Sequence, residues 1–157
     1  MPYQGERNAQ GEAHGHGTQT WPNGDKYEGQ WKEGKRHGSG KSILANGERY
    51  EGPYSNDKRH GEGRYTWPNG DTFEGHYVSG RREGQGKFTW KDGSTYHGTY
   101  VNDKREGNGE AKYANGDRYK GEMMRGVRHG HGVFTFKNGA FRRPCSCTHS
   151  TRSAPCG

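Results

Sequence analysis

The chain has 157 residues, a formal charge of +7 and only 24% hydrophobic residues against 29 glycines, with a mean hydropathy of −1.48. That excludes a thick aliphatic core and any membrane-spanning helix, and taken alone it would suggest disorder. What overrides it is a fixed 23-residue period, the mark of units that bury their apolar faces only against neighbours.

The period opens at Tyr3-Gln4-Gly5 and returns at Tyr27-Glu28-Gly29, Tyr50-Glu51-Gly52, Phe73-Glu74-Gly75, Tyr96-His97-Gly98 and Tyr119-Lys120-Gly121, with one extra residue in the first copy. Each copy continues through a polar loop to a glycine pair, Gly15/Gly17, Gly38/Gly40, Gly61/Gly63, Gly84/Gly86, Gly107/Gly109 and Gly130/Gly132. Each then ends in Asn-Gly or Asp-Gly, from Asn23-Gly24 to Asn138-Gly139. Such dipeptides between extended runs predict type I′ hairpin turns, which need positive φ at both central residues. The reading is therefore all-β: a single-layer, elongated, twisted antiparallel sheet, a meander of six hairpin repeats over residues 1–140. Two strands per repeat, about 4.8 Å apart, make a ribbon roughly 58 Å long.

Period two sorts the side chains. Tyr27, Gly29 and Trp31 share one face, as do Gly61, Gly63, Tyr65 and Trp67, and then Gly84, Gly86, Phe88 and Trp90, leaving the other face polar. Glycine lets a neighbouring ring lie across it, so the glycines are expected to serve packing. A single layer leaves part of such a face open, and rigid aromatics make good interface anchors. Trp21, Tyr65, Trp67, Phe88 and Trp90 are the expected partner-binding residues.

The pattern Tyr-x-Gly-x-Trp-x-x-Gly-x-x-x-Gly-x-Gly, met by Tyr27, Gly29, Trp31, Gly34, Gly38 and Gly40, resembles the MORN repeat. Asp57 and Asp103 depart from it at the mid-loop glycine, and Met123 at the second aromatic. The opening run from Gly5-Glu6-Arg7-Asn8 to His14-Gly15-His16-Gly17, with Lys35-Arg36-His37-Gly38, is similar to the radial-spoke-head members of that family. The resemblance implies a non-catalytic scaffold of the axoneme in motile cilia or flagella. Its partners would be other radial spoke head subunits, with self-association as a further role, and it would localise to cytoplasm, cytoskeleton and axoneme.

The loop before each glycine pair carries cations: Lys35 and Arg36, Lys58 and Arg59, Arg81 and Arg82, Lys104 and Arg105, and Arg128. As a set they form a ladder that could meet an acidic protein or an anionic phospholipid, which makes a peripheral membrane-tethering module the alternative reading. Arg142, Arg143 and Arg152 in the acid-free end of the chain supply three of the seven net charges, leaving +4 for the repeats. Glu83, Asp103 and Glu106 lie in the same loops and weaken a lipid reading. Acids such as Glu28, Glu51, Asp71 and Asp117 interrupt any phosphate track, so nucleic acid is disfavoured.

No phosphate loop, nucleophile elbow or His-Glu-x-x-His helix occurs, so no catalytic residue and no cofactor are expected. His14/His16 and His129/His131 occupy slots that other repeats fill with Ser39, Glu62 or Gln85, and they read as surface residues rather than metal ligands. The period lapses at Phe141-Arg142-Arg143-Pro144, and residues 141–157 are expected to be a disordered tail holding Cys145, Cys147 and Cys156. An odd number of cysteines confined to that segment points to a reducing compartment, and their spacing matches no strong metal site.

Overall fold

The computed structural model describes residues 3–142; the three cysteines and most of the expected tail lie outside them. Fourteen strands form one antiparallel sheet in chain order, with the two-residue β6 paired beside β5. They are β1 (Gln4–Arg7), β2 (Ala13–Thr20), β3 (Lys26–Lys32), β4 (Lys35–Ile43), β5 (Arg49–Ser55), β6 (Lys58–Arg59), β7 (Gly61–Thr66), β8 (Thr72–Val78), β9 (Arg81–Thr89), β10 (Thr95–Val101), β11 (Lys104–Lys112), β12 (Arg118–Met124), β13 (Val127–Thr135) and β14 (Phe141–Arg142). The expected meander is what the chain forms. Phe141 and Arg142 still pair with β13, so ordered structure runs two residues past the expected end of the array.

The two kinds of hairpin turn are the reverse of the sequence expectation. At Trp21-Pro22-Asn23-Gly24-Asp25, Gly24 N–H donates to Trp21 O and Trp21 N–H to Asp25 O, and only Gly24 has positive φ. That is a three-residue loop, a type I turn followed by a left-handed glycine, with proline suited to its first central position. Asn23 accepts from the Asp25 N–H instead of taking positive φ. Both-positive pairs fall in the polar loops, at Glu33-Gly34, Asn56-Asp57, Ser79-Gly80, Asn102-Asp103 and Arg125-Gly126. There the strands meet across two residues, as Lys32 with Lys35 and Ser55 with Lys58, which is type I′ geometry. Asp57 and Asp103, the departures from the glycine pattern, adopt left-handed φ of 67° and 68°. The extra residue of the first copy widens its loop to Ala9-Gln10-Gly11, closed by Asn8 N–H to Glu12 O.

The two glycines of each pair have different jobs. The first sits at a bulge in the left-handed region, as Gly38 at 69° and Gly84 at 78°. The second lies beneath the ring of its own repeat: a Cβ on Gly40 would fall 2.2 Å from the Tyr27 hydroxyl, and one on Gly86 2.5 Å from Phe73. Across the sheet these second glycines meet those of Tyr-x-Gly, as Gly17 with Gly29, Gly40 with Gly52 and Gly86 with Gly98. A file of glycines thus crosses the strands, and the rings close over it.

That is how a single layer makes a core. Tyr27, Tyr50, Phe73 and Tyr96 are 0–2% exposed, and Trp31, Tyr54, Tyr77 and Tyr100 are buried beside them. The rings run edge to face at centroid separations of 5.0–5.8 Å, from Tyr3 and Trp31 through Tyr27, Tyr54, Tyr50, Tyr77, Phe73 and Tyr100 to Tyr96. Tyr3, Tyr27, Tyr50 and Tyr119 each donate their hydroxyl to the carbonyl three residues on, at 2.8–3.0 Å. The buried Tyr96 hydroxyl has no partner among the described residues.

On the opposite face the charges alternate in cross-strand register through Glu28, Lys41, Glu51, Arg64, Glu74 and Lys87; His97 interrupts the series, which resumes with Glu110 and Lys120. Opposite charges facing each other stabilise a sheet, and their alternation neutralises this face.

Candidate functional site on the ring face

The residues expected to bind partners lie on the ring face in a second row, toward the Asn-Gly turns. Tyr65 is buried, whereas Trp21, Trp67, Phe88 and Trp90 are half-buried. Four of the five come together: ring centroids are 4.7 Å apart for Tyr65 and Trp67, 5.2 Å for Trp67 and Phe88, and 4.7 Å for Phe88 and Trp90. Trp21 stands apart from them, two repeats away, at the outer end of the row. The Tyr65 hydroxyl donates to the Glu48 carboxylate at 2.5 Å, and burial with that carboxylate pushes its pKa up to about 12. The Glu48 carboxylate is available because the residue it would cap in the next repeat is Pro68, which has no N–H; elsewhere Asp25, Asp71 and Asp117 cap the N–H groups of Ala45, Lys91 and Lys137.

The basic loops do not make one ladder. Lys35, Lys58, Arg81 and Lys104 are exposed, but the next residue of each loop turns onto the rings. Arg36 stacks on Tyr54 at 5.0 Å and Tyr27 at 5.7 Å, Arg59 on Tyr65 at 5.0 Å and Tyr77 at 5.1 Å. Arg82 covers Phe73 and Tyr100, Arg105 covers Tyr96, and Arg128 covers Tyr119 and Phe134. Two-residue turns dictate this, since they set Arg36 directly opposite Trp31 and Arg82 opposite Tyr77. The same signal was available in the sequence to anyone who placed the type I′ turn in the polar loop.

Four of the five stacked guanidiniums, those of Arg36, Arg59, Arg82 and Arg105, also fasten one repeat to the next. Arg36 donates to Asp57 O at 2.9 Å and to Asp57 Oδ1 at 3.2 Å, while Asp57 Oδ1 accepts the Arg36 N–H at 2.9 Å. The Asp57 N–H returns to Arg36 O. Arg82 and Asp103 repeat all four contacts. Arg59 and Arg105 have no aspartate to meet and donate instead to the carbonyls of Gly80 and Gly126. The arginines stabilise the array as well as shaping its surface, with cation–π contacts worth about 0.5–2 kcal/mol each.

Toward the last repeats the ring face thins. Ala111 stands where Tyr65 and Phe88 stand in their repeats, and Met123 where Tyr54 and Tyr77 stand, and a cleft of about 400 Å³ opens between Tyr96, Arg105, Tyr113, Tyr119 and Arg128. Among the described residues no group of three or more His, Cys, Asp or Glu is placed to hold a metal ion. Nor, among the described residues, is any helix long and apolar enough to cross a membrane.

A family model described as the MORN repeat matches residues 9–26, 27–49, 50–72, 73–95, 96–118 and 119–141, in the register of the sheet's repeats. No curated protein matches the chain. Among solved structures it is similar to the TCP domain of Drosophila melanogaster SAS-4 (dCPAP), determined in complex with a proline-rich motif of Ana2 (dSTIL). The TM-score is 0.51 at 15% identity, covering 88% of this chain and 81% of that one. The likeness is one of fold.

Proposed function

Because the chain belongs to the MORN repeat family, we propose that it is a non-catalytic scaffold that binds other protein subunits through its ring face and its repeat ends. The observation that carries this reading is the contiguous patch of Tyr65, Trp67, Phe88 and Trp90, held at 4.7–5.2 Å spacings on a layer that no second layer covers among the described residues. Rigid rings fixed by their sheet lose little entropy on docking. The fold's competence for such binding is supported by the SAS-4 TCP domain, whose structure holds a proline-rich motif; proline-rich segments are a good match for aromatic-lined surfaces. The place of action we propose is the radial spoke head of motile cilia or flagella, with other spoke-head subunits as partners. It rests on the opening run from Gly5 to Gly17 and the Lys-Arg-His-Gly loops.

Anionic phospholipid is the second reading, favoured by the exposed Lys35, Lys58, Arg81 and Lys104. Against it, the arginines of the same loops are committed to rings and turn carbonyls, and the polar face neutralises itself. The test is affinity purification of a tagged copy from detergent-extracted axonemes. Recovery of spoke subunits, lost when Trp67, Phe88 and Trp90 become Ala, supports the scaffold; association that disappears with the membrane contradicts it.

A further inference from the structure

The last repeat breaks the surface rules that the others keep. Lys35, Lys58, Arg81 and Lys104 are followed one period later by Val127, which is 64% exposed. The charge ladder of the polar face ends opposite Lys120 at Val133, 43% exposed, and Phe141 on the two-residue β14 is 63% exposed. Sheet edges ordinarily carry charge to prevent pairing with other chains. Here β13 and β14 bring three exposed apolar side chains to that edge.

Arg128 is the other part of the pattern. It occupies the place of Arg36 and Arg82, stacked on Tyr119 at 5.6 Å and Phe134 at 5.5 Å. Its guanidinium makes no hydrogen bond or ion pair among the described residues, and it is exposed where the other four are half-buried. The array itself displays the ligand for this position. An aspartate in a type I′ turn accepts from the arginine side chain with its carbonyl and carboxylate, accepts the arginine's backbone N–H with the same carboxylate and donates its own N–H to the arginine's C=O, as Asp57 does with Arg36 and Asp103 with Arg82. One period beyond Asn102-Asp103 and Arg125-Gly126 the sequence has Thr148-His149, neither Asp nor Gly in the second place. Glu122, next to the Met123 that pairs with Arg128, accepts the His131 N–H with its carboxylate.

We infer that the C-terminal end of the array, Arg128 with Val127 and the rings of Tyr119 and Phe134, docks an aspartate-bearing β-turn of a partner protein. The turn sits there as the turn of each repeat sits on the arginine before it. This deepens the scaffold reading and rests on it, since it names what one repeat end binds. The partner is another protein rather than a second copy, because the chain's own Asp57 and Asp103 turns already hold Arg36 and Arg82.

The probe is a cyclic peptide reproducing the turn Tyr54–Arg59, titrated calorimetrically into the full chain. Saturable binding is expected, weakened about tenfold when the peptide's Asp becomes Asn, because a charge-assisted hydrogen bond is lost. Arg128→Gln in the protein is expected to abolish binding while the chain stays folded, its melting temperature falling by no more than a few degrees because only exposed cation–π contacts to Tyr119 and Phe134 are lost. A phosphoserine peptide of the same shape, or vesicles of anionic lipid, binding more tightly than the Asp turn would overturn the assignment. So would equal binding by Arg128→Gln, equal binding of the Asn peptide, or no binding to the full chain. If the turn fails to bind while spoke subunits still co-purify, the end-docking inference falls and the scaffold reading stands.

Discussion

Gly84 and Gly86 offer a matched test of how this sheet is held together, since the same substitution two residues apart should give opposite results. Gly86 carries no positive φ, but a Cβ there would lie 2.5 Å from Phe73 Cε2 and Cζ and 3.3 Å from Tyr100 Cδ2. Asn or Val at 86 must therefore strain the ring or expel it. Overpacking alone costs about 1–3 kcal/mol. Expelling Phe73 forfeits about 1.5–3 kcal/mol of burial. It also breaks edge contacts with Tyr77 at 5.6 Å and Tyr100 at 5.0 Å, each worth about 0.5–1.5 kcal/mol. The total is roughly 3–6 kcal/mol, a fall of about 10 °C or more in Tm for a chain of this size. Gly84 has φ of 78° and nothing nearer to an added Cβ than His76 Cβ at 4.0 Å. Asn tolerates that conformation, so Gly84→Asn should cost well under about 1 kcal/mol. Thermal unfolding followed by near-ultraviolet circular dichroism reads global loss, and hydrogen exchange across β8 to β10 reads the local loss expected of a repeat array. If Gly84→Asn is as damaging as Gly86→Asn, the division of labour within the glycine pairs is wrong.

Val at Ser39 or Glu62, on the polar face, should shift stability by no more than about 0.5 kcal/mol in the same melts. Tyr96→Phe should be neutral or slightly stabilising, because its buried hydroxyl is unpartnered and Phe73 already fills the equivalent place, whereas Tyr27→Phe, which loses a 2.9 Å bond to Gln30 O, should cost about 1 kcal/mol. Alkaline titration should unfold the chain cooperatively. Burial holds Tyr65 and Tyr100 up to about 12 and Tyr27, Tyr50 and Tyr77 higher. The folded state therefore favours the neutral phenol; this stability is complete below an unfolded pKa of about 10 and is lost as pH rises toward 12 and above. Phenolate absorbance accounting for all ten tyrosines before any loss of structure would refute it. In liposome flotation, little salt-sensitive binding to anionic vesicles is expected; strong binding that vanishes when Lys35, Lys58, Arg81 and Lys104 become Glu would favour the lipid reading.

The repeat length, the meander and the two faces were readable because Tyr-x-Gly and Gly-x-Gly fix both period and phase: Tyr27, Gly29 and Gly40 are where period two puts them. The turn types were not. Asn23-Gly24 has the composition of a type I′ pair, but Pro22 before it suits a type I turn, and the true type I′ pairs include Glu33-Gly34 and Ser79-Gly80, whose first residues give no such signal. That single exchange hid the arginines. With the two-residue turn placed in the polar loop, Arg36 falls opposite Trp31 on the ring face; without it, the basic run reads as a uniformly solvated edge. The separate roles of Gly38 and Gly40 were likewise invisible, because a bulge changes the direction of a side chain without changing the spacing of the residues. The aromatic patch was legible as composition, and its continuity from Tyr65 to Trp90 follows from pairing register.

The most direct test of the scaffold is purification of a tagged chain from detergent-extracted axonemes of a ciliated cell, beside the chain in which Trp67, Phe88 and Trp90 are Ala. The account predicts that spoke-head subunits co-purify with the first and not with the second, the second chain melting at a lower temperature but remaining folded under the conditions of the purification. Equal recovery with both, or recovery with neither while the chain remains with extracted membrane, would contradict it.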